Sequence, residues 1–246
     1  MNEVRAGTER PCRTWGPAAS LAWGFAAVAA WLVAQIAFGD TIGGWFEADG
    51  VQLASYAPFV AIVTIGSAIV PLVVVAAAVR SAGCSVVDYL GLRLPARQYL
   101  LLGLLALAVV VPLVDFLSWF AGYPVTPPLV ADLYTTARES GALLLVLVAL
   151  VVAAPLVEEV VFRGFLLPGL AASAIGASGA LVLTSGIWAL LHAQYQPFYL
   201  IQIMVLGVVF GWLRLRSGST ALTIILHGIL NFAAMVQAAV LVEWMA

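Results

Sequence analysis

Lysine is absent from this sequence, and charge of either sign is scarce. Only 9% of the 246 residues are charged, 64% are hydrophobic, and the mean hydropathy is +1.10. A soluble domain has about 25% charged and 45–50% apolar residues, so the composition excludes a soluble globular enzyme and a disordered chain. The net charge of −2 also excludes the basic surface that a nucleic-acid partner requires. We therefore predict a polytopic membrane protein that binds no nucleic acid.

In place of charged residues, the sequence contains long apolar stretches. A helix needs about 20 mostly apolar residues to cross roughly 30 Å of hydrocarbon. Seven stretches meet or approach that length, near 18–38, 57–79, 99–120, 142–160, 178–195, 198–213 and 219–242. They predict an all-α transmembrane helical bundle with about seven spans, within a range of six to eight. The first stretch is longer than the apolar part of a signal peptide, so we expect a retained anchor.

The arginines predict the orientation. A cytoplasmic N-terminus places nine of the ten arginines on the cytoplasmic side and only Arg138 outside, as the positive-inside rule requires. The first external loop agrees, because it has Asp40, Glu47 and Asp49 and no basic residue. We predict a cytoplasmic tail over 1–17 and an external C-terminus. A chain that has only arginine as its basic residue and is rich in alanine, valine and leucine also suggests a bacterial source, and hence a multi-pass protein of the inner membrane.

Cysteine is also scarce, with Cys12 and Cys84 only. Both lie in hydrophilic stretches that the arginines assign to the cytoplasm, where thiols stay reduced. We expect neither a disulfide nor a cysteine metal site.

Ionisable residues are distributed unequally between two halves of the chain. Before the proline-rich external loop 121–141 the predicted spans have one acid, Asp115, whereas after it they have two Glu, two His, one Arg and one Asn. Such residues are costly in hydrocarbon and are functional candidates by default. We predict that 18–141 is a support and that 142–242 is the working core. Asp115 follows Pro112, and we interpret it as a residue near the outer interface without a chemical role.

The first polar pattern in the second half is a pair of adjacent carboxylates. Glu159 and Arg163 are spaced i, i+4 and can pair along one helix face. Glu158 lies about 100° around the helix and lacks that partner, so it is the carboxylate available to accept a proton. Charges that meet water at a helix end are an equally good explanation of this stretch alone.

Two further patterns each place a pair of polar or aromatic side chains one turn apart on one helix face. They are Trp188 with His192, and His227 with Asn231. Hydrogen bonds between helices explain each pattern alone. Together with the carboxylate, two imidazoles and a carboxamide are sufficient for a hydrolytic site that activates water, or alternatively for a divalent-metal site.

In this order the three patterns resemble the signature of the CAAX prenyl protease and bacteriocin-processing family, also called type II CAAX or Abi proteins. That signature is Glu-Glu-x-x-x-Arg, then an aromatic residue-x-x-x-His, then His-x-x-x-Asn or Asp. The corresponding segments here are Glu158-Glu159-Val-Val-Phe-Arg163, Trp188-Ala-Leu-Leu-His192 and His227-Gly-Ile-Leu-Asn231. The resemblance covers roughly 142–235. The second motif usually begins with Phe, and Trp188 replaces it, which affects substrate shape more than chemistry.

The resemblance implies an intramembrane endopeptidase that hydrolyses a peptide bond in a membrane-associated protein or peptide. By motif position, Glu158 and His192 would activate water, and His227 and Asn231 would stabilise the oxyanion. The resemblance gives supporting roles to Glu159, Arg163 and Trp188. Relatives are described both as metalloproteases and as metal-free enzymes, and the motifs lack the His-Glu-x-x-His spacing of zincins. No cofactor is firmly implied, and zinc remains an alternative with the ligands Glu158, His192, His227 and Asn231.

Two other functions stay open at this point. A catalytically silent relative would bind partners as an immunity or scaffold protein, and a transporter of protons or small solutes would also concentrate ionisable residues in one half.

The predicted span limits place the candidate residues at different depths in the membrane, so they cannot meet in a single site. At 1.5 Å per residue, Glu158 lies near the cytoplasmic face, His227 about 12 Å deep and His192 about 21 Å deep. Either the fourth span continues past Glu158 toward Pro168, or the fifth begins near Ala171.

Overall fold

The computed structural model describes residues 14–46 and 53–244. Within these ranges the chain forms nine helices and no strand: α1 (Pro17–Gly43), α2 (Ala57–Ser81), α3 (Val86–Leu90), α4 (Arg97–Phe120), α5 (Pro128–Glu139), α6 (Leu143–Ala171), α7 (Gly176–Leu190), α8 (Pro197–Ser217) and α9 (Thr220–Trp244). Most of the predicted tail 1–17, as well as Glu47 and Asp49, lies outside the described residues.

Six of the described helices, α1, α2, α4, α6, α8 and α9, are long and apolar enough to cross a membrane. This confirms the all-α polytopic bundle, and the protein is an integral multi-pass membrane protein. The predicted fifth span, 178–195, is shorter than expected, because α7 is an apolar helix of only 15 residues and ends at Leu190. At 1.5 Å per residue it is only about 22 Å long.

Prolines and glycines mark several helix ends. Helices α1, α5 and α8 have a proline in the first turn, where its missing N–H leaves no intrahelical bond unmade. Gly218 follows the last residue of α8 and has φ of 69°, a left-handed conformation that glycine adopts without strain. The turn that follows is tight, so α8 and α9 form a hairpin.

Hydrogen bonds connect that hairpin to the end of α3 and to the segment that follows it. Arg214 Nε donates to Thr220 Oγ1 at 2.8 Å, and Thr220 Oγ1 donates to the Leu90 carbonyl at 2.5 Å. Ser219 Oγ donates to the Arg93 carbonyl at 2.6 Å. These bonds fix the start of α9 relative to α4.

Helix α6 is the central helix, with the largest buried share among the six spans. It contains two π-helical segments, Val148–Ala153 and Val160–Leu166, on either side of the adjacent glutamates. Every residue from 157 to 167 is buried. Helix α6 continues past Glu158 to Ala171, so the first solution to the depth conflict is confirmed, and a fifth span beginning near Ala171 is wrong.

At the opposite end of the bundle from the α8–α9 hairpin, α5 is held against the end of α9. The Tyr134 hydroxyl donates to a Glu243 carboxylate oxygen, and Arg138 Nε lies 3.1 Å from the same oxygen. The hydrogen bond to Glu243 raises the pKa of Tyr134 above its ordinary value, so the phenol stays protonated. Helix α5 therefore covers part of this end of the bundle.

The expectation for cysteine is wrong at Cys84, which is disulfide-bonded. Cys12 lies outside the described residues. The expectation used only the redox state of the predicted compartment, and that argument contains no information on which residues the fold brings close together.

Candidate active site

A cavity of about 670 Å³ lies inside the bundle. Five of the seven predicted site residues line it, namely Glu158, Trp188, His192, His227 and Asn231. The other two, Glu159 and Arg163, lie behind its wall. The first half of the chain also contributes to the lining, so the cavity is built from both halves.

Glu158 contacts two other residues of the cavity lining. Its Oε2 accepts a hydrogen bond from the Trp188 indole N–H at 2.6 Å and lies 3.9 Å from His192 Nε2. His192 Nδ1 lies 2.9 Å from the Trp188 carbonyl oxygen. Because a carbonyl only accepts, Nδ1 carries a proton, and Nε2 of a neutral His192 has a lone pair directed toward Glu158. The carboxylate and the imidazole are therefore held by one tryptophan.

Glu159 pairs with two partners behind the cavity wall. Its Oε1 lies 3.0 Å from Arg163 Nη1 and 3.0 Å from His227 Nδ1. Glu159 and Arg163 have exposed fractions of 0% and 1%, so the pair is out of water. The i, i+4 pairing expected from the sequence is present, and it extends across helices to a second motif through His227.

Arg163 is enclosed by groups that suit a buried cation. Its guanidinium carbon lies 4.2 Å from the centre of the Trp188 ring and 5.9 Å from the Phe210 ring. Nη2 donates to the Gly207 carbonyl at 3.4 Å. Aromatic faces attract such a cation, more strongly where water is excluded. Trp188 therefore contacts Glu158 with its N–H and Arg163 with its ring.

Asn231 is placed by an irregular part of α6. Pro155 has no N–H, so it cannot bond a carbonyl in the preceding turn. The Leu150 carbonyl in that turn accepts from Asn231 Nδ2 at 2.7 Å instead. Gly228 is close to the same turn, because a Cβ built on it would lie 2.6 Å from the Val151 oxygen. The proline and the glycine together let α9 approach α6 closely.

The sequence did not indicate several cavity residues. Trp31 of α1 lines the cavity, and its buried indole N–H has no partner among the described residues. Tyr195, in the segment between α7 and α8, also lines the cavity. Burial and, to a smaller extent, the negative charge of Glu158 raise the pKa of Tyr195 to about 12. Asp115 is near the C-terminal end of α4 and lines the cavity. Isolated tryptophans, tyrosines and one aspartate form no pattern from which a site is predicted.

The residues present do not fit the zinc alternative. Catalytic zinc has three protein ligands, and no group of three or more His, Cys, Asp or Glu side chains within the described ranges is arranged to hold a metal ion. His227 Nδ1 is already engaged with Glu159. No chemical step is therefore assigned to a metal.

Comparison with known proteins adds one match. The family model "Type II CAAX prenyl endopeptidase Rce1-like" matches residues 140–233. The matched segment contains all three motifs, from Glu158 to Asn231. No curated protein and no solved structure matches the chain.

Proposed function

Because residues 140–233 match the type II CAAX prenyl endopeptidase Rce1-like family model, we propose that this protein is an intramembrane endopeptidase. Glu158 and His192 activate a water molecule, which attacks a peptide bond of a membrane-associated protein or peptide. The observation that carries the proposal is the arrangement of Glu158, Trp188 and His192 around one side of the cavity.

The distance between Glu158 Oε2 and His192 Nε2 suits a bridging water. At 3.9 Å the two atoms are too far apart for a direct hydrogen bond, and both are acceptors when His192 is protonated on Nδ1. One water at about 2.8 Å from each atom can donate a hydrogen bond to both. Its lone pairs then face the cavity, where the scissile carbonyl would lie.

The position of His227 supports a role at the oxyanion. His227 lines the cavity, and its Nδ1 lies 3.0 Å from Glu159 Oε1. Glu159 therefore orients the ring through Nδ1, which leaves Nε2 available on the cavity side. Asn231 has a second amide N–H for the same purpose.

The proton path needs no further group. Glu158 takes one proton from the water as the new carbon–oxygen bond forms, and the carbonyl becomes an oxyanion. When the tetrahedral intermediate collapses, the carbon–nitrogen bond breaks and Glu158 returns that proton to the leaving amine. The carboxylate is regenerated and atoms and charge balance.

Packing below the site does not favour a transporter. A transport route must continue past Glu158 to the other end of the bundle, yet no described residue of α6 after Glu158 lines the cavity, and Phe162 and Phe165 have 0% exposure. A catalytically silent protein would not require a carboxylate and an imidazole on either side of a gap that fits one water molecule. No observation favours either alternative.

The test is cleavage of a pooled library of membrane-anchored peptides by the purified protein in lipid, for the wild type and Glu158→Gln. The amide keeps the shape of the side chain and removes the base. We expect a rate loss of about 10²- to 10⁴-fold, the usual contribution of a general base. Mass spectrometry of the products measures both the rate and the cleaved bond.

Glu139→Gln is the matched control, because it makes the same change at an exposed position on α5; it should cleave like the wild type. Equal cleavage by Glu158→Gln and the wild type contradicts the proposal. A wild type that cleaves no peptide also contradicts it and favours a binding protein. A parallel experiment adds a strong chelator. Unchanged cleavage agrees with a site that holds no metal, whereas lost cleavage would show that a metal is required.

A further inference from the structure

A second polar group faces the same cavity at a distance from Glu158. Asp115 of α4 accepts from Gln237 Nε2 at 2.9 Å, and Gln237 Oε1 accepts from Thr126 Oγ1 at 3.2 Å. Asp115 and Gln237 both line the cavity. Within the described residues Gln237 is the one side chain that hydrogen-bonds Asp115, and Asp115 is only half-buried. A carboxylate has about four lone-pair sites, so Asp115 has capacity for further donors from the cavity.

The cavity lining has two carboxylates and two histidines but, among the described residues, no permanently cationic side chain. Asp115 and Glu158 are its two acidic residues. Arg163 lies behind the wall and is paired with Glu159. A carboxylate in a mostly apolar, low-dielectric cavity attracts a cation more strongly than one in water. The cavity therefore favours a ligand that is apolar over most of its length and positively charged near Asp115.

Helix α9 gives the distance between Asp115 and the proposed reaction centre. Gln237, which binds Asp115, follows His227 on α9 by about 15 Å along the axis at 1.5 Å per residue. An extended peptide advances about 3.3 Å per residue. About four to five residues separate a peptide bond at His227 from a side chain at Asp115.

We propose that Asp115, positioned by Gln237, forms a substrate subsite for the guanidinium or ammonium group of an arginine or lysine side chain. The register, four to five residues from the cleaved bond, depends on the proposed function, whereas the cation subsite itself does not. The subsite gives the protein a preference for cationic membrane-associated peptides.

The first test measures binding without cleavage. Octylguanidinium and its uncharged analogue octylurea have nearly the same shape, and both are titrated into the protein in lipid nanodiscs by calorimetry. We expect octylguanidinium to bind the wild type and Glu158→Gln at least tenfold more tightly than octylurea does. In Asp115→Asn this preference should disappear, and Asp115→Glu should restore part of it.

Asp132→Asn is the matched control, since Asp132 is an exposed aspartate on α5 outside the cavity lining; it should keep the preference. Thermal unfolding of each variant checks that the fold is retained. The subsite is contradicted if Asp115→Asn keeps the preference, if Glu158→Gln loses it instead, or if neither ligand binds the wild type.

The second test uses the library of the cleavage experiment, with lysine or its uncharged isostere norleucine at each position. We expect lysine four or five residues from the cleaved bond to raise kcat/KM about tenfold in the wild type but not in Asp115→Asn. Octylguanidinium preference without any cleavage would contradict the endopeptidase and leave the subsite intact. If lysine changes kcat/KM at no position and the two octyl ligands bind equally, the subsite alone is contradicted.

Discussion

At the scale of single residues, Trp188 connects the two parts of the site. Its N–H donates to Glu158, its carbonyl accepts from His192, and its ring lies on the Arg163 guanidinium. A phenylalanine there, as the resemblance gives for related sequences, keeps the carbonyl and an aromatic face but removes the donor. The tryptophan thus adds one hydrogen bond to Glu158 without otherwise changing the arrangement.

Trp188→Phe tests what that hydrogen bond contributes. A hydrogen bond to a charged group contributes about 1.5–3 kcal/mol, so we expect kcat/KM to fall by about tenfold to hundredfold, at 1.36 kcal/mol per tenfold change. Peptide cleavage at several substrate concentrations gives the measurement. Trp119→Phe is the control, because Trp119 is exposed at the end of α4, and it should have wild-type kinetics. Wild-type kinetics in Trp188→Phe would show that Glu158 does not depend on this donor.

At the scale of elements, the crossing of α6 and α9 sets the geometry of the site. The Leu150 and Val151 carbonyls belong to the first π-helical segment, near Pro155, and contact Asn231 and Gly228 of α9. Segments of π-helix are frequent at functional sites because they redirect side chains and backbone groups. The same crossing brings His227 to Glu159, so any displacement of α9 separates two of the three motifs.

Gly228→Ala tests this crossing. The added Cβ would lie 2.6 Å from the Val151 oxygen, which is backbone and cannot turn away. Overpacking of this kind costs about 1–3 kcal/mol, so we expect a lower melting temperature in detergent and slower peptide cleavage. Gly186→Ala is the matched control, since nothing lies within 4 Å of a Cβ built there, and its melting temperature should not fall. Equal melting temperatures for both variants would show that the crossing tolerates a larger separation.

Hydropathy was sufficient to predict six long helices, yet it ended α6 too early. Three charges at 158, 159 and 163 resemble the end of a span, because a pattern of single residues does not reveal that Glu159 and Arg163 neutralise each other when buried. The motifs predicted which residues of the second half meet. They could not predict Trp31 or Asp115, because contacts between distant parts of the chain leave no periodic pattern.

At the scale of the whole molecule, one polar part of the cavity and four arginines lie toward opposite ends of the bundle. Asp115 is near the end of α4, Gln237 is in the last third of α9, and Gln202 is near the start of α8. All three line the cavity, as does Gln194 in the segment before α8. Arg93, Arg97, Arg214 and Arg216 are at the other ends of these helices. With the arginines cytoplasmic, the polar part of the cavity faces the external side.

Cysteine labelling tests this orientation, which the arginines alone predict. In a background with Cys12 and Cys84 replaced by serine, Gln194→Cys places a thiol at the cavity, and Ala96→Cys places one beside Arg97 at an exposed position. We expect a membrane-impermeant maleimide to label Gln194→Cys in intact cells and Ala96→Cys only after permeabilisation, because a charged reagent does not cross the hydrocarbon. The reverse pattern would place the arginines outside and open the cavity to the cytoplasm. A peptide substrate would then have to come from the cytoplasm, so the labelling pattern decides which side of the membrane supplies it.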